Sequence, residues 1–143
     1  MIGLVSDVLA EATGRLERAG VPSPRVDAEW LLCEVLGLPR STLVSHRDDA
    51  LSIDQSARLD EMLARRERRE PLAYIIGTQR FRGLTLSVGP GALVPRPETE
   101  LVAERAISLT RERCVREHRP TVVDVGTGTG AIALAVAAEA PDA

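Results

Sequence analysis

Apolar positions in the first half of the chain recur at helical spacing. Over residues 4–19, Leu9, Ala12, Leu16 and Ala19 follow the three-four-three rhythm of one helix face. Gly20 and Pro22 then stop that helix. Ser23 at the N-cap and Pro24 at the first helical position predict a second start, where the missing proline N–H costs nothing. Its apolar stripe is Ala28, Leu31, Leu32, Val35 and Leu36, and Gly37 ends it. A short helical turn is predicted over Arg40–Ser45. Ser52 and Gln55 form a capping-box pattern, in which each side chain answers the other's backbone N–H. The helix so opened turns Leu59, Met62 and Leu63 inward and ends before Pro71. The first half therefore reads as a small helical bundle.

The period then changes. Tyr74 to Val88 reads as two short strands, with Leu84, Leu86 and Val88 alternating with Thr85 and Ser87 about an Arg82-Gly83 turn. Gly89-Pro90-Gly91 closes this hairpin, which is expected to link two domains. A proline-flanked arginine, Arg96, precedes a helix whose buried side is expected to be Val102, Ala106 and Leu109. Such a rigid helix entry also suits a fixed ligand contact. Residues 111–120 read as a polar connection. Thr121 to Val125 is a β-branched apolar run, expected to be a buried strand. Gly126, Gly128 and Gly130 come next at alternate positions, and Ala131–Ala138 continues as a small, apolar helix.

Strand, glycine turn and helix is the opening unit of a nucleotide-binding α/β sheet. Glycine permits positive φ and lets a ligand approach without meeting a Cβ. The helix after the turn begins with N–H groups that have no internal partner and carry partial positive charge. A carboxylate, ribose hydroxyl or phosphate would suit that place. Gly126-x-Gly128-x-x-Ala131 satisfies the dinucleotide fingerprint. The spacing of three glycines, with Asp124 two positions before the first, is instead similar to the first motif of S-adenosylmethionine-dependent methyltransferases. A tight strand-to-helix turn without a ligand is the third reading.

Composition narrows the classes. The 143 residues suit one domain's worth of core, and the net charge of −3 gives no general case for nucleic acid binding. All 18 basic residues are arginine, which together with the abundant alanine reads as codon bias. Trp30, Tyr74 and Phe81 are the whole aromatic complement, too few for base-stacking platforms. Cys33 and Cys114 lack C-x-x-C spacing, which argues against a disulfide scaffold or zinc site and suits a reducing cytoplasm. No apolar run reaches membrane-spanning length, so a soluble, cytoplasmic protein is expected. His46 and His118 stand apart and read as solvent-facing. Arg65, Arg66, Arg68 and Arg69 read either as a solvated helix end or as a docking patch for an acidic partner.

Three segments together carry a resemblance to a known family. They are Glu70-Pro71-Leu72-Ala73-Tyr74-Ile75-Ile76-Gly77, Val94-Pro95-Arg96-Pro97-Glu98-Thr99-Glu100, and Asp124-Val125-Gly126-Thr127-Gly128-Thr129-Gly130-Ala131. In this order, after a helical bundle, they resemble the protein-(glutamine-N5) methyltransferases that modify peptide chain release factors, the HemK/PrmC type. The resemblance covers essentially the whole chain, and the first two segments are the specific ones. It implies an α/β protein: a helical, substrate-recognising domain over residues 1–72, a β-hairpin linker over 73–95, and the beginning of a Rossmann-like methyltransferase domain over 96–143. It implies S-adenosyl-L-methionine as cofactor, held at its methionine and ribose end by Gly126, Thr127, Gly128, Thr129 and Gly130. Asp124 would order the turn or meet the cofactor's amino group, and the Pro95–Glu98 loop would border the active site. The methyl group would pass to the glutamine amide in the release factor's Gly-Gly-Gln loop.

The sequence departs from the family in one respect: it contains no Asn-Pro-Pro-Tyr segment. The family uses that asparagine and a neighbouring carbonyl to orient the poorly nucleophilic amide nitrogen. The expectation is therefore an inactive fragment of a longer enzyme, with no catalytic residue of its own. A single strand and helix cannot make a sheet covered on both faces, so residues 120–143 are expected to be loosely held or to pair with another chain. Two other classes remain open. One is a non-catalytic module binding a translation factor, and the other is a fragment of a nicotinamide-dependent oxidoreductase.

Overall fold

A computed structural model describes residues 3–116 and 120–142. The chain divides into two compact units between Ile76 and Gly77. The described residues are mostly helical, with one two-stranded antiparallel sheet.

The first unit is built of helices α1 (Val5–Arg18), α2 (Pro24–Leu36), α3 (Ile53–Glu67) and α4 (Leu72–Ile76), with a 3-10 turn over Arg40–His46. Helix α1 starts without a side-chain cap. Its first N–H groups are satisfied instead by the loop after the 3-10 turn: Val5 donates to the Asp49 carbonyl at 2.9 Å and Ser6 to that of Arg47 at 3.0 Å. Its end is the one the glycine implied. Gly20 takes φ +70°, its N–H bonds Glu17 and that of Val21 bonds Leu16, which is the Schellman arrangement. Ser23 stands at the N-cap of α2 but makes no capping bond, so Pro24 carries that start. The capping box of α3 is present, with Ser52 and Gln55 bonding reciprocally. Val8, Ala12, Leu16, Leu31, Leu32, Leu59 and Leu63 meet in one apolar core.

The arginine cluster at the end of α3 is in part a solvated helix end and in part tied back onto neighbouring helices. Arg66 is half-buried there and bonds the buried Asp27 of α2 at 2.7 Å, with the two side chains 15% and 10% exposed. It also donates to the Glu70 carbonyl. Arg65 pairs with Glu70, and Arg69 reaches the Gly20 carbonyl at 2.6 Å. Arg68 is exposed. Arg65 and Arg66 tie the helix end to its neighbours, while Arg68 and Arg69 remain exposed to solvent.

The second unit holds β1 (Thr78–Phe81), β2 (Leu84–Ser87), α5 (Thr99–Arg116) and α6 (Ala131–Glu139). The strands pair antiparallel, with Phe81 opposite Leu84 across the Arg82-Gly83 turn. Phe81, Leu86, Ala103, Ile107, Ala135 and Val136 form its core. Four local expectations need correction. Tyr74–Ile76 belongs to helix α4, because Pro71 opens a turn in which its carbonyl accepts from Tyr74 and Ile75. Helix α5 is rotated by one residue: Ala103, Ile107 and Thr110 are buried, while Val102 and Leu109 are exposed. The same helix continues through residues 111–116, which were expected to be a connection. Finally, the expected strand at Thr121–Val125 is irregular backbone with no strand paired to it among the described residues, and Val123 and Val125 are 76% and 91% exposed. An α/β sheet is thus not formed by these residues, since a lone strand has no neighbour for its backbone groups.

Burying an ion pair makes the loss of one partner costly, because the other charge is left in a poor solvent. Asp27→Ala should therefore lower the urea unfolding free energy of the first unit by about 3 kcal/mol. Trp30, the sole tryptophan, reports this unit by fluorescence. A loss below about 1 kcal/mol would show the pair to be dispensable.

Candidate functional site

The glycine turn is set by local forces. Gly126, Gly128 and Gly130 take φ of +76°, +57° and +77°, a region that L-side chains rarely occupy. Conformation rather than crowding demands glycine at the first two. A Cβ at Gly126 would meet nothing within 4 Å, and one at Gly128 only the Gly126 carbonyl at 3.9 Å. At Gly130 a Cβ would come within 3.3 Å of Leu134. The Thr127 hydroxyl donates to Asp124 at 3.0 Å, so Asp124 is engaged in ordering the turn. Gly130 donates to the Thr127 carbonyl at 2.9 Å, then serves as N-cap of α6, whose start no side chain caps.

The turn is open. Gly126, Thr127 and Gly128 are exposed, and Thr129 and Gly130 are half-buried. A cavity of about 500 Å³ lies between residues 120–124 and α6, lined by Asp124, Val122 and Val136 among others. None of the five residues of the glycine turn lines it. The turn thus offers backbone donors, a carboxylate and small residues on one exposed surface, with no facing surface among the described residues.

The other side chains singled out in the sequence lie elsewhere. Arg96 is exposed, and the loop around it enters α5 through bonds from Thr99 to the Arg96 carbonyl and from Glu100 to that of Pro97. His46 pairs with Asp49 at 2.7 Å in the first unit. His118 lies outside the described residues. Cys33 is buried, and burial pushes its thiol up; Cys114 is half-buried, and both are free. No group of three or more metal-ligating side chains occurs among the described residues, and none of their helices is long and apolar enough to cross a membrane.

Sequence reasoning passed over Arg82. It sits at the hairpin turn with φ +52°, a conformation strained for a residue with a Cβ. Its backbone N–H donates to Glu100 of α5 at 2.9 Å. Its guanidinium bonds Glu139 of α6 through Nε at 2.5 Å and Nη2 at 2.9 Å, and Glu104 of α5 at 2.6 Å. One side chain thus joins the hairpin to the helix that leaves the glycine turn. A signal was available: acids at Glu100 and Glu104, four apart on one helix face, opposite an arginine where a hairpin prefers glycine or asparagine.

Residues 7–77 match the family model of the PrmC N-terminal domain. The class is therefore that of proteins carrying this helical domain. Over 133 residues the chain is 52% identical to the release factor glutamine methyltransferase of Streptomyces coelicolor, covering 93% of this chain and 45% of that protein. It is 44% identical over 137 residues to the protein of the same name from Deinococcus radiodurans, covering 96% and 48%. It is 42% identical over 134 residues to that of Escherichia coli, covering 94% and 46%. The chain belongs to the PrmC family of release factor glutamine methyltransferases. It spans about half the length of the curated relatives it matches.

The Glu139 carboxyl is held below its ordinary value, first by the hydrogen bond from Arg82 and then by the charges of Arg82 and Arg111. A carboxyl depressed on folding stabilises above its unfolded value and loses that contribution as pH falls through the folded one. The second unit should thus have its full ion-pair contribution above about pH 4.5 and lose it in more acid solution. Arg82→Gln should lower its urea midpoint at neutral pH and flatten the decline in acid below about pH 4.5, monitored by the amide resonances of Phe81 and Leu86. An unchanged acid dependence would show that Arg82 does not hold this unit together.

Proposed function

We propose that the whole protein carrying this chain transfers a methyl group from S-adenosyl-L-methionine to the glutamine amide of a peptide chain release factor's Gly-Gly-Gln loop. The observation that carries the reading is the glycine turn in a chain of this family: three glycines at positive φ, an acid two residues ahead, and an uncapped helix start. The residues fit the cofactor. Exposed backbone N–H groups suit its carboxylate and ribose hydroxyls, and the absence of side chains at Gly126 and Gly128 leaves room for close approach. Thr127 and Thr129 add hydroxyls to the same turn. Asp124 acts through Thr127, fixing the turn that the cofactor meets. When bound, the cofactor supplies an electrophilic methyl group on sulfur.

The domain roles accord with the same reading. On this reading the first unit, through Ile76, is the substrate-recognising bundle, and the second, which includes the hairpin, is the beginning of a Rossmann-like cofactor domain in the cytoplasm. In that domain Thr121–Val125 becomes a strand once a neighbouring strand satisfies its backbone. These 143 residues contain no asparagine. No side chain among them matches the one the family uses to position the amide, so they alone should yield no methylglutamine.

The test uses the natural gene product with a purified release factor and labelled S-adenosylmethionine. Gly128→Val forces a β-branched residue into a left-handed conformation, so the turn must move. It should raise KM for the cofactor by about tenfold or more, with the release factor's KM unchanged. Transfer by the unaltered protein to no release factor, or to a residue other than glutamine, would overturn the reading. Retention of cofactor affinity by the variant would remove the turn from the site. Binding of a nicotinamide dinucleotide in competition with the cofactor would favour the oxidoreductase alternative.

A further inference from the structure

The first unit contains a cleft of about 710 Å³ that the methyl-transfer reading does not use. Its floor is aliphatic, made by Val5 and Leu9 of α1 and Leu43 of the 3-10 turn, all buried. Its rim is basic: Arg25, Arg40 and Arg47 line it against one acid, Glu29. In a 3-10 helix, residues three apart stand in register. Ser41, Val44 and Arg47 accordingly succeed one another along one edge, and all three line the cleft. Val44 is 77% exposed, an aliphatic residue held in water beside the arginines of the rim.

Charge and shape together select an occupant. Glu29 takes the Nε of Arg25 at 2.7 Å and that of Arg40 at 2.7 Å, and its carboxyl is held below its ordinary value, first by the Arg25 bond. One carboxylate shared by two guanidiniums leaves the lining positive, on a chain whose net charge is −3. The third, Arg47, pairs with its neighbour Asp48 at 3.3 Å with both side chains exposed, a weak pairing. No aromatic residue lines the cleft, which removes the stacking surface a base would need. We propose that this cleft docks an acidic segment of a protein partner, seating an aliphatic side chain on Val5, Leu9 and Leu43 and carboxylates on Arg40 and Arg47. The inference rests on the first unit alone and holds whether or not the protein transfers a methyl group.

Fluorescence anisotropy of a labelled peptide of alternating leucine and glutamate, titrated with the whole protein at low salt, tests it. Saturable binding that weakens with added salt is expected. The double substitution Arg40→Ala with Arg47→Ala should weaken it by about tenfold or more, with Trp30 emission unchanged. Replacing the peptide's glutamates by glutamine should reproduce that loss on the unaltered protein, which separates lost docking from lost folding. Replacing its leucines by serine should weaken binding as well, through the floor. Equal binding of the glutamine peptide, or no binding of the glutamate peptide, would overturn the proposal. Binding of inorganic triphosphate without the peptide would assign the cleft to small anions and overturn it equally.

Discussion

Each residue of a strand carries a donor and an acceptor that need a neighbour, and this requirement governs the second half of the chain. β1 and β2 satisfy each other. Residues 121–125 find no strand among those described, and so the most β-prone run in the sequence stays irregular and exposes its valines. The glycine turn and α6 do not share that dependence. Positive φ and the Asp124–Thr127 bond fix the turn, and α6 packs through Ala131, Ala135 and Val136. Arg82 then ties α6 to α5 and the hairpin. The glycine turn is therefore built by short-range forces, without a sheet strand paired to residues 121–125 among the described residues.

The first unit rests on a different balance. Its helices bury one common apolar core, and its polar links are arginine bonds that close helix ends onto one another. Arg15 joins α1 to Glu67 of α3, and Arg66 joins α3 to Asp27 of α2. The loop that caps α1 also brings Arg47 to the edge of the cleft. Local helix chemistry and a candidate docking surface are thus the same piece of backbone.

Much of this was legible in the sequence, and the misses have physical causes. The stop of α1, both ends of α2 and the start of α3 are local events, written in Gly20, Pro24, Gly37 and the Ser52–Gln55 pair, whereas the start of α1 depends on the distant loop at Arg47–Asp49. The face of α5 was expected at Val102, Ala106 and Leu109, but Ala103 and Ile107 make the contact with Ala106 partly buried beside them, so the stripe lies one residue along the helix. The role of Arg66 was hidden because its long side chain pairs with Asp27, far away in sequence, whereas that of Arg82 had a signal in the acids of α5. The glycine motif itself was plain, with the φ values that its residue types imply.

The proposed account seats a methyl donor at Gly126–Gly130 and makes a release factor the substrate, and family membership together with the turn geometry supports it. The most direct measurement is the mass of the Gly-Gly-Gln peptide of the release factor, purified from cells with the natural gene intact and with it deleted. The account predicts one additional methyl group, on the glutamine, that disappears on deletion and returns on complementation. An unmodified glutamine in the intact strain, or a methyl group that survives deletion, would contradict it.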